Sequence, residues 1–499
     1  MEDTVLYAVL SLLFLALAFK LYKSKTAHKN LPPSPPSLPI LGHLHLLKPP
    51  LHRFYQQLSQ KYGPVISLRF GSRLVVVVSS PSAVEECFTK NDITLANRPR
   101  LLIGKHISYN FSTIIAAPYG DHWRNLRRIG ALEIFSTHRI NTFASIRKDE
   151  VKRLLGKLSR SSGKKVELRS LLSNLTYNII MREIAGKRYY GDEVENEEES
   201  RQFRELVASI VSVGGVSNKG DFLPIFNWIS GRKFEKKLEG LAKNMDSFLQ
   251  GLVDEQRSRR ENSESMNTMI GHLLSLQEEQ PEYYTDQIIK GLILIILIAG
   301  TDTSAVTLEW AMSNLVNHPE ILKKARAELD DQVGQDRLIE ESDLSKLPYL
   351  NNIISETLRL NPAAPLLIPH CASNDCSIAG YNVPRDTIVL INAWGIHRDP
   401  NLWSDPLSFK PERFESGEPE SYKLLPFGLG RRACPGKGSA QRVMGLTLGT
   451  LIQCFEWERL TEEEVDMTEM NGSVMHKAVP LEALCIERPV VTKLFHETA

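Results

Sequence analysis

Hydrophobic residues recur along most of this chain at intervals of three and four, the spacing of helices with one buried face. Only a few short stretches read as strands. Val65–Phe70 and Arg73–Val78 are β-branched runs on either side of Gly71-Ser72, which is a hairpin pattern. Ile388–Ile391 forms another such run, entered through turn residues around Gly380 and Pro384-Arg385-Asp386. From Thr285 to Asn317 a helical pattern continues for about thirty residues, capped at its start and stopped ahead of Pro319. Residues 291–300 within it carry no charge, so this helix is expected to be buried on every side. Residues 192–200 are acidic and read as a solvated loop between helices. The expected fold class is mainly α with small β-sheets.

The first segment has a different pattern. Residues 5–22 are apolar apart from Lys20, and as a helix they span about 27 Å, close to the hydrocarbon thickness of a bilayer. Glu2 and Asp3 precede the run, while Lys20, Lys23, Lys25 and Lys29 close it. Positive charge stays on the cytosolic side, which orients the N-terminus to the lumen and the body to the cytosol. A cleaved signal peptide is the rival, with Ala16-Leu17-Ala18 as its cleavage site; that triplet lies inside the apolar run, and the front is acidic rather than basic. Residues 31–39 then hold five prolines (LPPSPPSLP), a stiff extended spacer. The organisation read from these features is a transmembrane anchor over residues 1–29, a proline-rich hinge over 30–39 and one domain over 40–499.

Composition narrows the function. Lys+Arg is 60 against Asp+Glu 59, a net charge of +1 that argues against a nucleic-acid partner. The six cysteines contain no C-x-x-C pair, which disfavours both a disulfide scaffold and structural zinc. One of them has a distinctive setting, Pro426-Phe427-Gly428-Leu429-Gly430-Arg431-Arg432-Ala433-Cys434-Pro435-Gly436. A lone cysteine is ordinarily a small apolar core residue. A thiolate that binds iron must be shielded and surrounded by donors. Glycines let backbone N–H groups approach it, and a helix starting just beyond adds its positive end. Phe427 can cover the sulfur and Arg432 can neutralise a haem carboxylate. Gly428-x-Gly430-x-x-Ala433 also mimics a dinucleotide fingerprint, but the remaining chain is too short for the βαβ unit that reading needs.

On the strength of this motif the chain resembles a cytochrome P-450, a haem-thiolate monooxygenase of the plant microsomal type, over essentially its whole length. The resemblance implies haem b as cofactor, Cys434 as its iron ligand and the P-450 fold with an N-terminal transmembrane helix. Ala299-Gly300-Thr301-Asp302-Thr303-Ser304 matches the oxygen-activating stretch, with Asp302 and Thr303 as the catalytic proton-relay pair. The plain alternative is that a mid-helix threonine bonds back to a carbonyl and bends the helix. Glu356 and Arg359, one helical turn apart, match a buried structural triad completed by Arg413. Trp123 and Arg127, at i and i+4, together with His370 and Arg98, match positions that contact the haem propionates. Asn361 stands where many plant relatives carry His.

The resemblance further implies molecular oxygen, electrons from an NADPH-cytochrome P-450 reductase docking near Arg431 and Lys437, membrane lipid, and a single-pass endoplasmic reticulum location with a cytosolic catalytic domain. Residues 95–105, 281–291 and 389–400 resemble plant isoflavone 2′- and 3′-hydroxylases, which implies a small apolar aromatic substrate such as an isoflavone or other flavonoid, hydroxylated on its B ring. Residues 101–119, 207–222, Ala299, 364–368 and 474–475 are then the expected pocket lining. The alternatives are lignan methylenedioxy-bridge formation, xenobiotic hydroxylation, an electron-independent haem-thiolate isomerase or dehydratase, and a non-catalytic membrane haem protein. The intact Asp302-Thr303 pair disfavours the isomerase.

Overall fold

The Gly71-Ser72 turn joins β1 (Val65–Phe70) to β2 (Arg73–Val78) as an antiparallel hairpin in which Val65 faces Val78 and Phe70 faces Arg73. The computed structural model describes residues 7, 9–11, 13 and 29–495, apart from 192–193, 215–217, 231, 262–266 and 418. In chain order the remaining strands are β3 (Lys164–Glu167), β4 (His370–Cys371), β5 (Cys376–Ile378), β6 (Tyr381–Val383), β7 (Ile388–Ile391), β8 (Phe455–Glu458) and β9 (Glu482–Glu487). The main sheet has the order β1-β2-β7-β4, with β7 parallel to β2 and antiparallel to β4. β7 is buried at all four positions, as a continuous apolar run should be when both faces are covered. A second sheet, β3-β9-β8, ties the chain's C-terminal part to its middle. Thus the hairpin and the strand at 388–391 form as the sequence pattern predicts.

Eight helices position the site: α1 (Asp121–Ile129), α2 (Ala144–Ser159), α3 (Leu168–Ala185), α4 (Glu197–Gly214), α5 (Asp286–Gly300), α6 (Asp302–Asn317), α7 (Pro348–Leu360) and α8 (Lys437–Cys454). The acidic stretch at 192–200 is only in part a loop. Glu197, Glu198 and Glu199 form the first turn of α4, where carboxylates interact favourably with the helix dipole. The stretch from Thr285 to Asn317 is likewise not one uninterrupted helix. It breaks at Thr301, and the hydroxyls of Thr301, Thr303 and Thr307 each donate at 2.8 Å to the carbonyl four residues back. Burial is nearly complete through Leu297, but Ala299 beside the break is exposed. A Cβ on Gly300 would lie 3.1 Å from the Ile180 side chain, so this glycine lets α3 close against the break.

α6 is the core of the molecule. Leu308, Met312 and Leu315 pack in one apolar cluster with Leu172 and Ile179 of α3, Leu350 and Ile353 of α7, and Leu448 and Leu451 of α8. Each such side chain contributes about 1.5–3 kcal/mol by leaving water. Among the described residues, Asp286–Asn317 is long and apolar enough to cross a membrane, but 67% of its most apolar window is buried in protein. Nearly all of the expected anchor, residues 1–29, lies outside the described residues; Tyr7, Val9, Leu10 and Leu13 are helical and exposed. The proline-rich hinge is extended and also docks on the body. Ser67 donates through N to Pro33 O at 2.9 Å and through Oγ to Pro32 O at 2.7 Å.

Behind α8 the expected triad is present. Arg359 Nε and Nη2 grip Glu356 Oε2 and Oε1 at 2.7 and 2.8 Å, and Arg413 Nε reaches Glu356 Oε1 at 3.2 Å. Both Glu356 and Arg359 are fully buried, and Arg359 Nη1 donates to His397 O and Pro406 O. Glu356→Ala leaves that guanidinium buried without its carboxylate, at a cost of about 3–5 kcal/mol. Chemical denaturation should show an unfolding free energy lower by that amount, with an earlier midpoint; an unchanged midpoint would mean that the triad is not structural.

Candidate functional site

Cys434 sits between the short turn Gly430–Arg432 and the start of α8. Its N–H donates to Phe427 O at 2.8 Å, which closes the preceding loop into a bulge. Gly428 and Gly430 hold that bulge with φ of +63° and +65°, the left-handed region that glycine occupies at little cost. On the sulfur side, the backbone N–H groups of Gly436 and Lys437 are hydrogen-bonded to the thiol. A Cβ on Gly436 would lie 4.0 Å from the sulfur, in ordinary van der Waals contact, so this residue is adjacent to the thiol. Desolvation raises the thiol above its ordinary value, while Gly436, the Arg127 charge and Lys437 oppose the rise. By surface area Cys434 is exposed, although desolvation is the largest influence on it. Both observations hold for a sulfur on the wall of an internal cleft, where it is accessible from within and surrounded by protein.

Three guanidinium groups gather beside it. α1 carries Trp123 and Arg127 on one face, as their i, i+4 spacing dictates. Arg432 extends from the turn before the cysteine, with its guanidinium 4.4 Å from the Trp123 ring centroid. Arg432 donates from Nε to Ala96 O at 2.6 Å, from Nη1 to Ile114 O at 3.0 Å and from Nη2 to Ala117 O at 2.5 Å. The Trp123 indole N–H also goes to Ile114 O, at 3.0 Å. Arg98 Nη1 donates to Ile368 O and Pro369 O, both at 2.8 Å, while its buried Nε has no partner. β4 places His370 beside them, with Nδ1 2.8 Å from Leu95 O and its ring edge-on to Phe88.

None of Arg98, Arg127 and Arg432 forms an ion pair among the described residues, and their electrostatics reflect it. Desolvation, then the Arg432 charge, lowers Arg98 to about 9. Desolvation, then Arg127, lowers Arg432 to about 10. His370 is pushed down to about 3, by desolvation first and Arg98 next. It is therefore a neutral imidazole donating from Nδ1 to Leu95, and Nε2 has no proton to offer until an anion lies nearby. Such a cluster calls for a ligand with more than one carboxylate. A flat metal cofactor bearing two carboxylates, whose metal takes a thiolate, matches both the cations and Cys434.

The Asp302-Thr303 pair opens α6, just past the break. Thr303 donates to Ala299 O at 2.8 Å, the back-bond of a helix-bending threonine, so the hydroxyl oxygen is left to accept. Asp302 Oδ2 lies 3.0 Å from His476 Nε2, a pairing that no motif or periodicity marks. Phe427 contributes its carbonyl to Cys434, and its ring packs against the core and the Lys437 ammonium. A cleft of about 210 Å³ between residues 112–114 and α5 adjoins the cationic cluster at Ile114.

Comparison with known proteins shows the family. The family model described as Cytochrome P450 matches residues 32–484. Cytochrome P450 81Q32 of Catharanthus roseus is 57% identical over 100% of both chains. An isoflavone 2′-hydroxylase of Glycyrrhiza echinata is 55% identical over 98% of each chain. An isoflavone 3′-hydroxylase of Medicago truncatula is 57% identical over 97% of this chain and 98% of its own. A solved zebra fish cytochrome P450 with abiraterone superposes with a TM-score of 0.75 at 27% identity, covering 88% of this chain and 100% of that one.

The bulge before the cysteine gives a direct test. A Cβ on Gly430 would lie 2.3 Å from Asp92 Oδ1, and Asp92 both accepts from Arg431 N and pairs with the Arg431 side chain at 3.1 Å. Gly430→Ala should cost about 1–2 kcal/mol for the left-handed backbone, before the displaced Asp92 is counted. Thermal unfolding should show the loss; an unaltered melting temperature would mean that the loop has room to relax.

Proposed function

The chain belongs to the cytochrome P450 family and is a haem-thiolate monooxygenase, and from that premise we propose that it hydroxylates the B ring of an isoflavone or another plant flavonoid. The observation that carries the substrate class is full-length identity of 55–57% to relatives named isoflavone 2′- and 3′-hydroxylase. Haem b is the family's cofactor; O2, a redox-partner reductase and a small substrate complete its reaction. For this chain the proposed electron donor is an NADPH-cytochrome P-450 reductase docking near Arg431 and Lys437. Lys437 is exposed, whereas Arg431 is already paired with Asp92, so Lys437 carries the more available charge.

Cys434 is the proposed iron ligand, kept as a thiolate by the N–H groups of Gly436 and Lys437 and by Arg127. Arg98, Arg127 and Arg432 are the proposed partners of the haem carboxylates. Trp123 holds the Arg432 guanidinium flat, and His370 joins them when an anion restores its second proton. Phe427 fixes the Cys434 backbone. Bound there, haem supplies the oxygen activation that no side chain performs. Asp302 and Thr303 serve proton delivery: the carboxylate carries protons, and the Thr303 oxygen orients a water by accepting from it while its own O–H donates to Ala299 O. Ala299 and the half-exposed Ile368 present apolar surface suited to an aromatic ring, whereas Met475 is buried.

The N-terminal helix is the proposed endoplasmic reticulum anchor, with the domain from residue 40 in the cytosol. Exposed Leu38, Ile40 and Leu41 lie on one side of the Gly71-Ser72 turn, and Ile225, Phe226 and Ile229 follow Phe222 on the other. Gly71 N meets Leu41 O and Ser72 N meets Phe222 O, so the two apolar groups border one turn and offer lipid a second contact.

Incubating the enzyme and a reductase with isoflavone, flavone and lignan panels, and reading product mass and regiochemistry, tests the substrate. B-ring hydroxylation of an isoflavone or flavone is expected; turnover of lignans alone would overturn the reading. Cys434→Ser should abolish the reduced carbon monoxide band near ~450 nm together with turnover. Retention of both would remove Cys434 as ligand. Thr303→Ala keeps helix propensity and should retain haem, but lower product per NADPH about ten- to hundredfold, or 1.4–2.8 kcal/mol, with peroxide rising in step. Unchanged coupling would leave Thr303 only its helix-bending bond to Ala299.

A further inference from the structure

Asp302 has a side-chain partner from the far end of the chain. His476 Nε2 lies 3.0 Å from Asp302 Oδ2, and the two side chains keep 25% and 18% of their accessible surface. They are 174 positions apart, His476 lying in the connection between β8 and β9. That connection is pinned by backbone. Met475 N donates to Ala363 O at 2.9 Å, Met470 N donates to His476 O at 2.8 Å, and the Trp310 indole on α6 donates to Met475 O at 2.7 Å. Lys477, the next residue, is fully buried with Nζ 4.8 Å from the Trp310 ring centroid and donating to Asp466 O. The imidazole is therefore brought to the carboxylate by the strap that carries it, and the ion pair is a consequence of that placement.

The other titratable groups nearby are committed elsewhere. Glu309 on α6 pairs with Arg169 at 3.0 Å and accepts from Leu481 N at 3.0 Å. Tyr177 on α3 is hydrogen-bonded to Thr301, and its hydroxyl is raised by desolvation and by the Asp302 charge. Lys477 is lowered to about 8 by desolvation, with Glu309 and Asp466 opposing. His476 is the titratable side chain in contact with the Asp302 carboxylate, and both keep part of their surface accessible.

Taking the relay reading of Asp302 and Thr303 as given, we propose that His476 is a positioning residue for this reaction, which holds the Asp302 carboxylate at the break and reloads it with protons from water. A carboxylate that has sent its proton inward needs another before the next turnover. Histidine changes charge between pH 5 and 8, whereas a lysine or arginine in its place would hold the carboxylate ionised without lending a proton. The transfer balances: the proton on Nε2 moves to Oδ2, imidazolium and carboxylate become imidazole and carboxylic acid, and hydronium or a buffer acid in bulk solvent reprotonates the ring, releasing water or the conjugate base. A threonine–aspartate pair without this imidazole depends on whatever water reaches the break.

The test compares native enzyme with His476→Gln, His476→Ala, Asp302→Asn and the His476→Ala/Asp302→Asn double variant, each first shown to keep the ~450 nm band. Product and peroxide per NADPH are measured from pH 6 to 8.5, with a flavonoid turned over in the panel above. In the native enzyme, product per NADPH should fall as pH rises and protons in the surrounding water become scarcer. His476→Gln keeps a hydrogen-bond donor, yet should flatten that profile and lower the yield roughly three- to tenfold. The double variant should match Asp302→Asn alone, because the two residues act in series. A second readout needs no turnover: acylation of His476 by diethyl pyrocarbonate, followed by mass spectrometry, should quicken in Asp302→Asn. If Asp302→Asn uncouples the enzyme while both His476 variants keep the native yield and profile, His476 has no part in the relay. If Asp302→Asn changes nothing, the relay reading fails and this role fails with it. An acylation rate indifferent to Asp302→Asn would contradict the contact itself.

Discussion

Three guanidinium groups gathered in a protein interior without a carboxylate among them repel one another and lose their water, a penalty of several kcal/mol that must be offset elsewhere. Arg98, Arg127 and Arg432 are in that position, with Arg98 and Arg432 held well below the ordinary arginine range. Much of the fold serves to keep them there. Ile114 O accepts from both Arg432 and Trp123, Ile368 and Pro369 hold Arg98, and β4 brings His370 alongside through its pairing with β7. A bound dicarboxylate would relieve this repulsion, and Cys434 beside it, the proposed metal ligand, would hold the group in a way that carboxylate contacts alone cannot. Cofactor binding is in this sense part of folding stability, since a ligand that binds only the native state stabilises it by mass action.

The second constraint is the break at Thr301. A continuous buried helix would offer no polar opening beside the cofactor. The back-bonds of Thr301 and Thr303 and one glycine packed against Ile180 lie at its interruption instead, and Asp302 is the first residue of a new helix. There the carboxylate is favoured by the helix dipole and remains accessible to His476. The same threonine chemistry therefore bends the helix and creates the polar gap, so the helix-bending and relay readings of Thr303 are compatible.

Much of this was legible in the sequence because it is local. The hairpin, the strand at Ile388–Ile391, the Glu356-Arg359 pairing and the bulge around Cys434 depend on residues within a few positions of one another. The family resemblance then joined distant motifs, which spacing alone could not do. What stayed hidden depends on contacts across the chain. His476 meets Asp302 across 174 residues, and no periodicity or motif marks it. Backbone N–H groups near the sulfur are expected from the glycines of the motif, but that Gly436 and Lys437 supply them has no side-chain signature. The acidic run at 192–200 was read as loop because charge outweighed helical spacing there, although acidic residues are what a helix N-terminus favours. The break at Thr301 was hidden by the strong apolar pattern on its N-terminal side.

The central claim is that the uncompensated cations hold the cofactor through its carboxylates. Titrating haem-depleted protein with iron protoporphyrin IX and with its dimethyl ester, followed by absorbance, tests this without altering a residue. The free diacid should bind at least tenfold more tightly than the ester, about 1.4 kcal/mol or more, since the ester offers three half-buried guanidiniums no negative charge. Equal affinity for the two would contradict the claim and assign cofactor retention to the thiolate and apolar contact alone.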